Sequence, residues 1–386
     1  MEQDRARDGE TEPYTLRRYE PGDEAAIVAL YNRVWDDDWS VTWFRWKYLD
    51  NPYIESVPVY VVTHSGEIVG VIGLVVFRMR SGEETGLGAL AGDLVVHPDH
   101  RKRGIFTRYL GTYLRDVPDG ELGRDDHGEV THPFFDDVAF LFAYANANSH
   151  SGMRKLGWTD VTPRTTHLRI QDPSSYVRDR AGPGVERALG PLARLSATGV
   201  LRVRGRDATA LGDVTVTRHS NLPVEILTTL AASARPSAVH PVFDEAFYEW
   251  RFAGRGWAPG DTYVARRGGE PLAATVVRET HDDRLDATTV SLAHTVPLAG
   301  SEREDGIAAI LDRIVADRGD AAFLRAWNPV FPDRLLRERG FLSDDRPPLS
   351  WLTGPDLRLV ASSRRGEPFT DRALRASGPE LWSLDR

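Results

Sequence analysis

The chain has 386 residues, 41% hydrophobic and 9% aromatic, which suits two domains with sizeable cores. Its formal charge of −9 argues against a general nucleic-acid binder, and the lack of cysteine excludes disulfides, thiolate metal sites and a cysteine nucleophile. No apolar run reaches the ~18 residues that span a bilayer, so the sequence reads as a cytoplasmic protein with no membrane partner. Lys47, Lys102 and Lys155 are the only lysines; the other 45 of 48 basic residues are arginines.

Residues 1–12 are charged, lack the apolar core of a signal peptide and read as a frayed tail. YTLRRY reads as a strand and DEAAIVALYNRVW as a helix with Asp23 as its N-cap. An aromatic stretch, WFRWKYLDNPY, is closed by Asn51-Pro52. Two β-rich runs then meet at a Ser65-Gly66 turn. Residues 81–92 are glycine-rich and read as a hairpin loop; GDLVV is a short strand that runs into HPDHRKRGIFTRYL, a loop and then a helix. Residues 117–135 are acidic with Pro and Gly, the mark of an exposed loop. VAFLFAYAN reads as a buried strand, NSHSGMRKLG as a helix ending at Gly157, and WTDVTPRTTHLRI as a final strand.

The same order then recurs. VTVTRH and VEILTTLAASA repeat the strand and helix, FYEWRF echoes WFRWKY, and DTYVARRGGEPLAATVVRE echoes the paired β-runs. AAFLRAWNPVFPDRLLRERGF echoes VAFLFAYANANSHSGMRKLGW. Four landmarks in one order indicate an internal duplication, and the period is too long for a solenoid. The expected organisation is a tail over 1–12, a first domain over 13–170, a linker over 171–212, a second domain over 213–356, and a polar tail over 357–386. The late apolar patch of that tail, LWSL, is expected to dock back on one domain.

Chemistry concentrates in GDLVVHPDHRKRGIFTRYL. A strand ends at Pro98, an arginine-rich loop follows, and Gly104 stands where the loop turns into a helix. A helix start leaves N–H groups unpaired and partly positive, and Arg101 and Arg103 add full charges beside it. Such a turn is a phosphate cradle, with Gly104 removing a Cβ from the approach; the alternative is a surface loop with solvated arginines.

The segment resembles the acyl-CoA-binding motif of GNAT acetyltransferases, Q/R-x-x-G-x-G/A after a strand ending in V-x-P. Arg101-Lys102-Arg103-Gly104 matches R-x-x-G, and Val96-His97-Pro98 matches the strand end. Phe106 replaces the small third residue, as in branches that carry HP-D-x-R-x-x-GIFT; WKYLDNP resembles those branches too. The resemblance covers residues 14–170 well and 214–353 more loosely. It implies an α/β (α+β) fold of two tandem GNAT-like domains, each a mixed twisted sheet flanked by helices. It also implies acetyl-CoA as co-substrate, with no metal, held by Leu94, Val95, Val96, Arg101, Lys102, Arg103, Gly104, Ile105 and Phe106. After the next strand, Asn146 opens NANSHSGMRKLGW at the family's spacing, and Asn146 or Asn148 is implied to hydrogen-bond pantetheine or substrate. Met153 stands where many members carry a general-acid tyrosine, and a thioether donates no proton.

In the second copy Arg303 and Gly306 keep R-x-x-G, but Glu302, Glu304 and Asp305 surround them and would repel a diphosphate. The second domain is therefore expected not to bind CoA. For an amine attacking a thioester, a backbone N–H near Val95 or Val96 polarises the carbonyl and a base takes the amine proton. Asp93 and His150 are candidate bases, His97 a further one; Tyr144 and Ser149 are candidate proton donors. Each also has a plain structural reading, as do Trp43, Trp46 and Tyr48, which line either an acceptor pocket or the core. Asp36-Asp37-Asp38 reads as a solvated charge run, and His127 and His132 lack further ligands at metal spacing. The expected activity is acetyl transfer from CoA to the primary amine of a small molecule such as an amino sugar. The alternatives are a Fem-type aminoacyl transferase and a non-catalytic acyl-CoA sensor. The sequence leaves the oligomeric state open.

Overall fold

The computed structural model describes residues 14–105, 138–172, 212–253, 260–283, 286–328, 330–347, 349–351 and 357–384. Strand β1 (Thr15–Arg18) leads into helix α1 (Glu24–Trp35). Ile27, Leu30 and Tyr31 of α1 recur at helical spacing and are all buried, which makes this stretch an amphipathic helix. Asp23 stands at its N-cap, but its carboxylate does not cap the helix. It accepts both ends of the Arg17 guanidinium, at 2.7 and 2.9 Å, and the Glu20 N–H at 2.8 Å. Those bonds hold the carboxyl below its usual range.

Helix α2 (Val41–Phe44), capped by Ser40 Oγ accepting the Trp43 N–H at 3.1 Å, passes directly into a π-turn over Arg45–Leu49. Trp43, Trp46 and Tyr48 are core residues. Strands β2 (Val59–His64) and β3 (Glu67–Ser81) form the expected hairpin at Ser65-Gly66, both with positive φ. The glycine-rich stretch expected as a loop is instead strand β4 (Glu84–Ala91). Its glycines serve packing: a Cβ at Gly86 would come within 3.0 Å of Phe369, and one at Gly88 within 2.7 Å of Phe140. Strand β5 (Val95–Val96) is the short strand before the arginine-rich loop. Then come β6 (Val138–Ala145), α3 (Ala147–Lys155), β7 (Thr159–Pro163) and β8 (Thr165–Ile170).

The second series opens with β9 (Val214–His219), α4 (Val224–Ser233) and β10 (His240–Pro241). Helix α5 (Glu245–Tyr248) again runs straight into a π-turn, Glu249–Ala253. Asp244 caps it by accepting the Phe247 N–H at 2.9 Å, so the duplication extends to the cap and the π-turn. Strands β11 (Thr262–Arg267), β12 (Glu270–Asp282) and β13 (Ala287–Val296) follow, then α6 (Arg303–Asp317), β14 (Phe323–Asn328), α7 (Asp333–Glu338) and β15 (Leu342–Ser343). The C-terminal stretch expected as a tail holds β16 (Arg358–Ser363), α8 (Asp371–Ala376) and α9 (Gly378–Trp382).

These strands make two mixed sheets flanked by helices, the architecture expected. One has the order β1-β2-β3-β4-β6-β16-β7, with β5 and β10 also on β3; the other is β15-β8-β14-β13-β12-β11-β9. WTDVTPRTTHLRI, read as one strand, divides at Arg164. Its first half, β7, pairs with β16, and its second half, β8, pairs with β14 in the other sheet. Strand β16 lies between β6 and β7, antiparallel to both. Two compact units result: residues 14–76 with 89–105, and 77–88 with 138–384.

Candidate functional site

In the first unit the chemistry lies between Asp93 and Ile105. Strand β5 pairs with β3, Val95 opposite Val71 and Val96 opposite Gly70, and the next N–H, that of His97, donates to Val69 O at 2.8 Å. Because backbone groups alternate along a strand, the Val96 N–H faces away from β3. Arg101 folds back along that side, its Nε donating to Val96 O at 3.2 Å. A 3₁₀ turn over Pro98–His100 carries the chain out, with the His97 ring accepting the Asp99 N–H.

Residues 101–104 are exposed, whereas Ile105 is buried against Gly70 and anchors the loop. Lys102 and Gly104 adopt positive φ, 63° and 79°. A Cβ added at Gly104 would meet no atom of the described residues within 4 Å, so glycine is needed there for the backbone conformation and not for packing. The turn carries three exposed cations, Arg101, Lys102 and Arg103, and no carboxylate among residues 101–105. Arg103 reaches Tyr14 OH at 3.4 Å, Tyr14 OH bonds His100 Nδ1 at 3.0 Å, and Tyr14 stacks on His64 at 4.5 Å. Burial, helped by nearby His97, His64 and Arg103, pushes the His100 imidazole below its usual pKa. Phe106 lies outside the described residues.

Asp93 is not a free strand-end carboxylate. It is 3% exposed, and its Oδ2 receives both the Lys47 ammonium and the Tyr48 hydroxyl. Burial first, and the Asp93 charge second, raise the Tyr48 pKa far above 10, so this hydroxyl stays a donor. The aromatic stretch named both residues, but nothing in its spacing pointed to Asp93. The one available signal was a lysine at position 47 in a chain that writes arginine almost everywhere.

In the second unit Asn146, Ser149 and His150 come together at the start of α3. Asn146 Oδ1 accepts the Ser149 N–H at 3.0 Å, and Ser149 Oγ accepts the Asn146 N–H at 3.1 Å, a reciprocal cap. His150 Nε2 lies 2.5 Å from Asp160 Oδ1, with Arg154 beside the other carboxylate oxygen. The Tyr144 hydroxyl donates to Leu381 O at 2.7 Å, and Met153 is buried. The Asn148 side chain lies outside the described residues.

The counterpart turn of the second copy is closed. Arg303 is half-buried, its Nε donating to Pro297 O at 2.6 Å and its Nη2 to Val330 O at 2.7 Å; desolvation lowers its pKa to about 10. Glu302 and Asp305 both pair with Arg267. A Cβ at Gly306 would sit 2.7 Å from that of Ala273, so this glycine lets α6 press onto β12 and leaves no opening above it. Among the described residues no group of three His, Asp or Glu side chains could hold a metal, and no helix is long and apolar enough to cross a membrane.

Residues 15–121 match the family model described as "Acetyltransferase (GNAT) domain". No curated protein matches the chain. Among solved structures, a probable N-acyltransferase of Enterococcus faecalis is similar with a TM-score of 0.58 at 8% identity, over 92% of this chain and 73% of that one. A GCN5-related N-acetyltransferase of Anabaena variabilis gives 0.56 at 10% identity, over 91% and 73%. The N-myristoyltransferase of Saccharomyces cerevisiae, solved with myristoyl-CoA, gives 0.56 at 12% identity, over 92% and 80%. At these identities the likeness is one of fold: two mixed sheets, each flanked by helices, in a tandem GNAT-like arrangement.

Proposed function

We propose that the chain is a cytoplasmic, acyl-CoA-dependent N-acyltransferase that moves an acetyl or other short acyl group to the primary amine of a small molecule, an amino sugar being the favoured class. The observation that carries this reading is the exposed turn over 101–104, which holds three cations and two positive-φ residues, has no carboxylate of its own, and leaves the Gly104 Cβ position clear of the described residues. A diphosphate needs such a place, and residues 101–104 would hold it. The thioester it brings supplies the activated acyl group. In this proposal the first domain, 13–170, binds the co-substrate and the second, 213–356, does not, since Arg303, Glu302 and Asp305 already occupy its equivalent turn.

The Val96 N–H, facing away from β3, is the proposed donor to the thioester oxygen as negative charge gathers there. His150, oriented by Asp160, is the proposed acceptor of the amine proton. As the amine nitrogen bonds to the carbonyl carbon, the carbon–sulfur bond breaks and the thiolate takes up a proton. Tyr144 already gives its hydrogen to Leu381 O, which points to a solvent proton for that step. The commitment of Tyr144 and the burial of Met153 also favour the second reading, a non-catalytic acyl-CoA sensor. The open cationic turn argues against the Fem type, which needs no diphosphate site there.

Incubating purified protein with acetyl-CoA and a panel of amines and amino sugars, with free thiol as the readout, separates these readings. Thiol release that requires both substrates supports the enzyme. Acetyl-CoA binding without release on any amine supports the sensor. No release and no acetyl-CoA-dependent thermal shift defeats both.

A further inference from the structure

We propose that Lys47, Tyr48 and Asp93 form a positioning cluster that fixes the backbone of Leu94–Val96 for the acyl group; this rests on the acyltransferase reading above. Asp93 adopts φ 28°, a conformation that non-glycine residues rarely hold and that persists only when the surroundings enforce it. Its side chain is 1% exposed, so the carboxylate must be matched by charge and hydrogen bonds. One π-turn supplies both partners: the wider turn, closed by the Asp50 N–H to Arg45 O at 2.9 Å, presents the neighbouring Lys47 and Tyr48 to the same oxygen, Asp93 Oδ2.

The surroundings are shaped for this contact. A Cβ at Gly73 would lie 2.5 Å from the Tyr48 ring, so β3 is bare where the ring crosses it. Lys47 Nζ sits 4.8 Å over the Trp43 ring and 5.6 Å over the Tyr48 ring, a slot for a compact ammonium rather than a planar fork. The duplication provides an internal comparison. Aligning Trp46 with Trp250 in the two π-turns puts Arg251 at the place of Lys47 and Phe252 at that of Tyr48. Matching the two hairpins, Glu67 with Glu270, puts Ala274 at the place of Val71; their partners, Val296 and Val95, then put His294 at the place of Asp93. The copy with a closed phosphate turn keeps the same helix and π-turn but has no carboxylate, ammonium and phenol on one oxygen; it holds a buried imidazole instead, His294 Nε2 lying 3.1 Å from the Tyr248 hydroxyl. The charged cluster thus accompanies the open turn, and a neutral polar pair accompanies the closed one. Because the Tyr48 hydroxyl stays protonated, the cluster keeps one hydrogen-bond pattern across the working pH range and acts on geometry, not by proton relay.

Three variants test the cluster: Y48F, D93N, and K47R/Y48F, which imports the second copy's pair. Circular dichroism confirms that each is folded. Titration calorimetry gives the acetyl-CoA Kd, and thiol release gives kcat across pH. The expected result is a Kd within threefold of the parent, a kcat at least tenfold lower, and an unchanged pH profile. The amide resonances of Leu94, Val95 and Val96 should also move in Y48F without any ligand, while those of β12 stay. Static amides, a kcat within twofold, or losses in Kd that match those in kcat overturn the proposal. So does loss of the acid limb in D93N, which would make Asp93 the base. A parent protein that binds no acetyl-CoA would refute the acyltransferase reading, and the ligand-free amide shifts would still decide the structural claim.

Discussion

Arg101 and Arg303 occupy the same step of the two copies, and each Nε donates to a carbonyl at the end of the preceding strand: Val96 O at 3.2 Å for Arg101, Pro297 O at 2.6 Å for Arg303. Their surroundings differ. Arg101 is exposed beside Lys102 and Arg103, whereas Arg303 is half-buried with a second bond to Val330 O. The same kind of contact thus sits in an exposed turn in one copy and within internal structure in the other.

Removing the guanidinium of Arg303 should therefore affect stability and not binding. Arg303→Met strands two backbone carbonyls, and about 2–3 kcal/mol of unfolding free energy should be lost. Denaturant unfolding measures the loss. Calorimetry should find one acetyl-CoA site per chain, of unchanged affinity; two equivalent sites would contradict the closed second turn.

The exposed turn should behave the opposite way. R101A/R103A should keep the parent melting temperature within a few degrees while raising the acetyl-CoA Kd tenfold or more, a loss of about 1.4 kcal/mol or greater. The penalty should shrink as salt is added, because exposed charges are screened. An unchanged Kd would leave these arginines merely solvated.

His150 and Asp160 form the closest histidine–carboxylate pair in the described part of the first copy, at 2.5 Å. If His150 takes the amine proton, His150→Gln should lower kcat about 100-fold with little change in acetyl-CoA KM. Asp160→Asn, which leaves the ring in place without its charge partner, should cost less. Equal kcat in parent and His150→Gln would remove it from the mechanism.

Acid stability should carry the signature of a buried neutral histidine. Burial among Phe243, Phe247 and Phe252, with a smaller push from Arg251, brings His294 down to about 3. Above the unfolded value, near 6.5, both states hold the ring neutral and nothing changes. Below it the unfolded chain binds the extra proton, so stability falls until the folded ring protonates near 3. Within that window His294 should contribute about 1.4 kcal/mol per pH unit, and His294→Phe should flatten the melting-temperature profile by that one-proton slope.

The C-terminal segment should be structural. Phe369 is buried, stacks on Phe140 at 5.8 Å and packs over Gly86, so Phe369→Ala should cost about 3–5 kcal/mol, read by denaturant unfolding.

Much of this molecule follows from local pattern. The hairpin at Ser65-Gly66, the period of α1, the helix closed by Gly157 and the duplicated aromatic stretch are written in neighbouring residues, where alternation, helical spacing and turn chemistry act. The cationic turn at 101–104 was legible for the same reason: strand end, proline, arginines and glycine are consecutive. Other features were decided by partners far away in the chain. Gly86 and Gly88 look like loop residues until Phe369 and Phe140 take up the space a side chain would fill. Strand β16 reads as a polar tail until β6 and β7 offer it two unpaired edges, and β8 leaves its neighbour β7 for β14 in the other sheet. Asp93 reads as a candidate base until Lys47 and Tyr48, more than forty residues earlier, reach its oxygen. Sequence by itself set the elements and the charge of the turn, because those depend on short-range geometry. Tertiary structure set strand order, the use of each glycine and the state of each buried carboxylate, because burial and pairing are properties of residues that meet only in the folded chain.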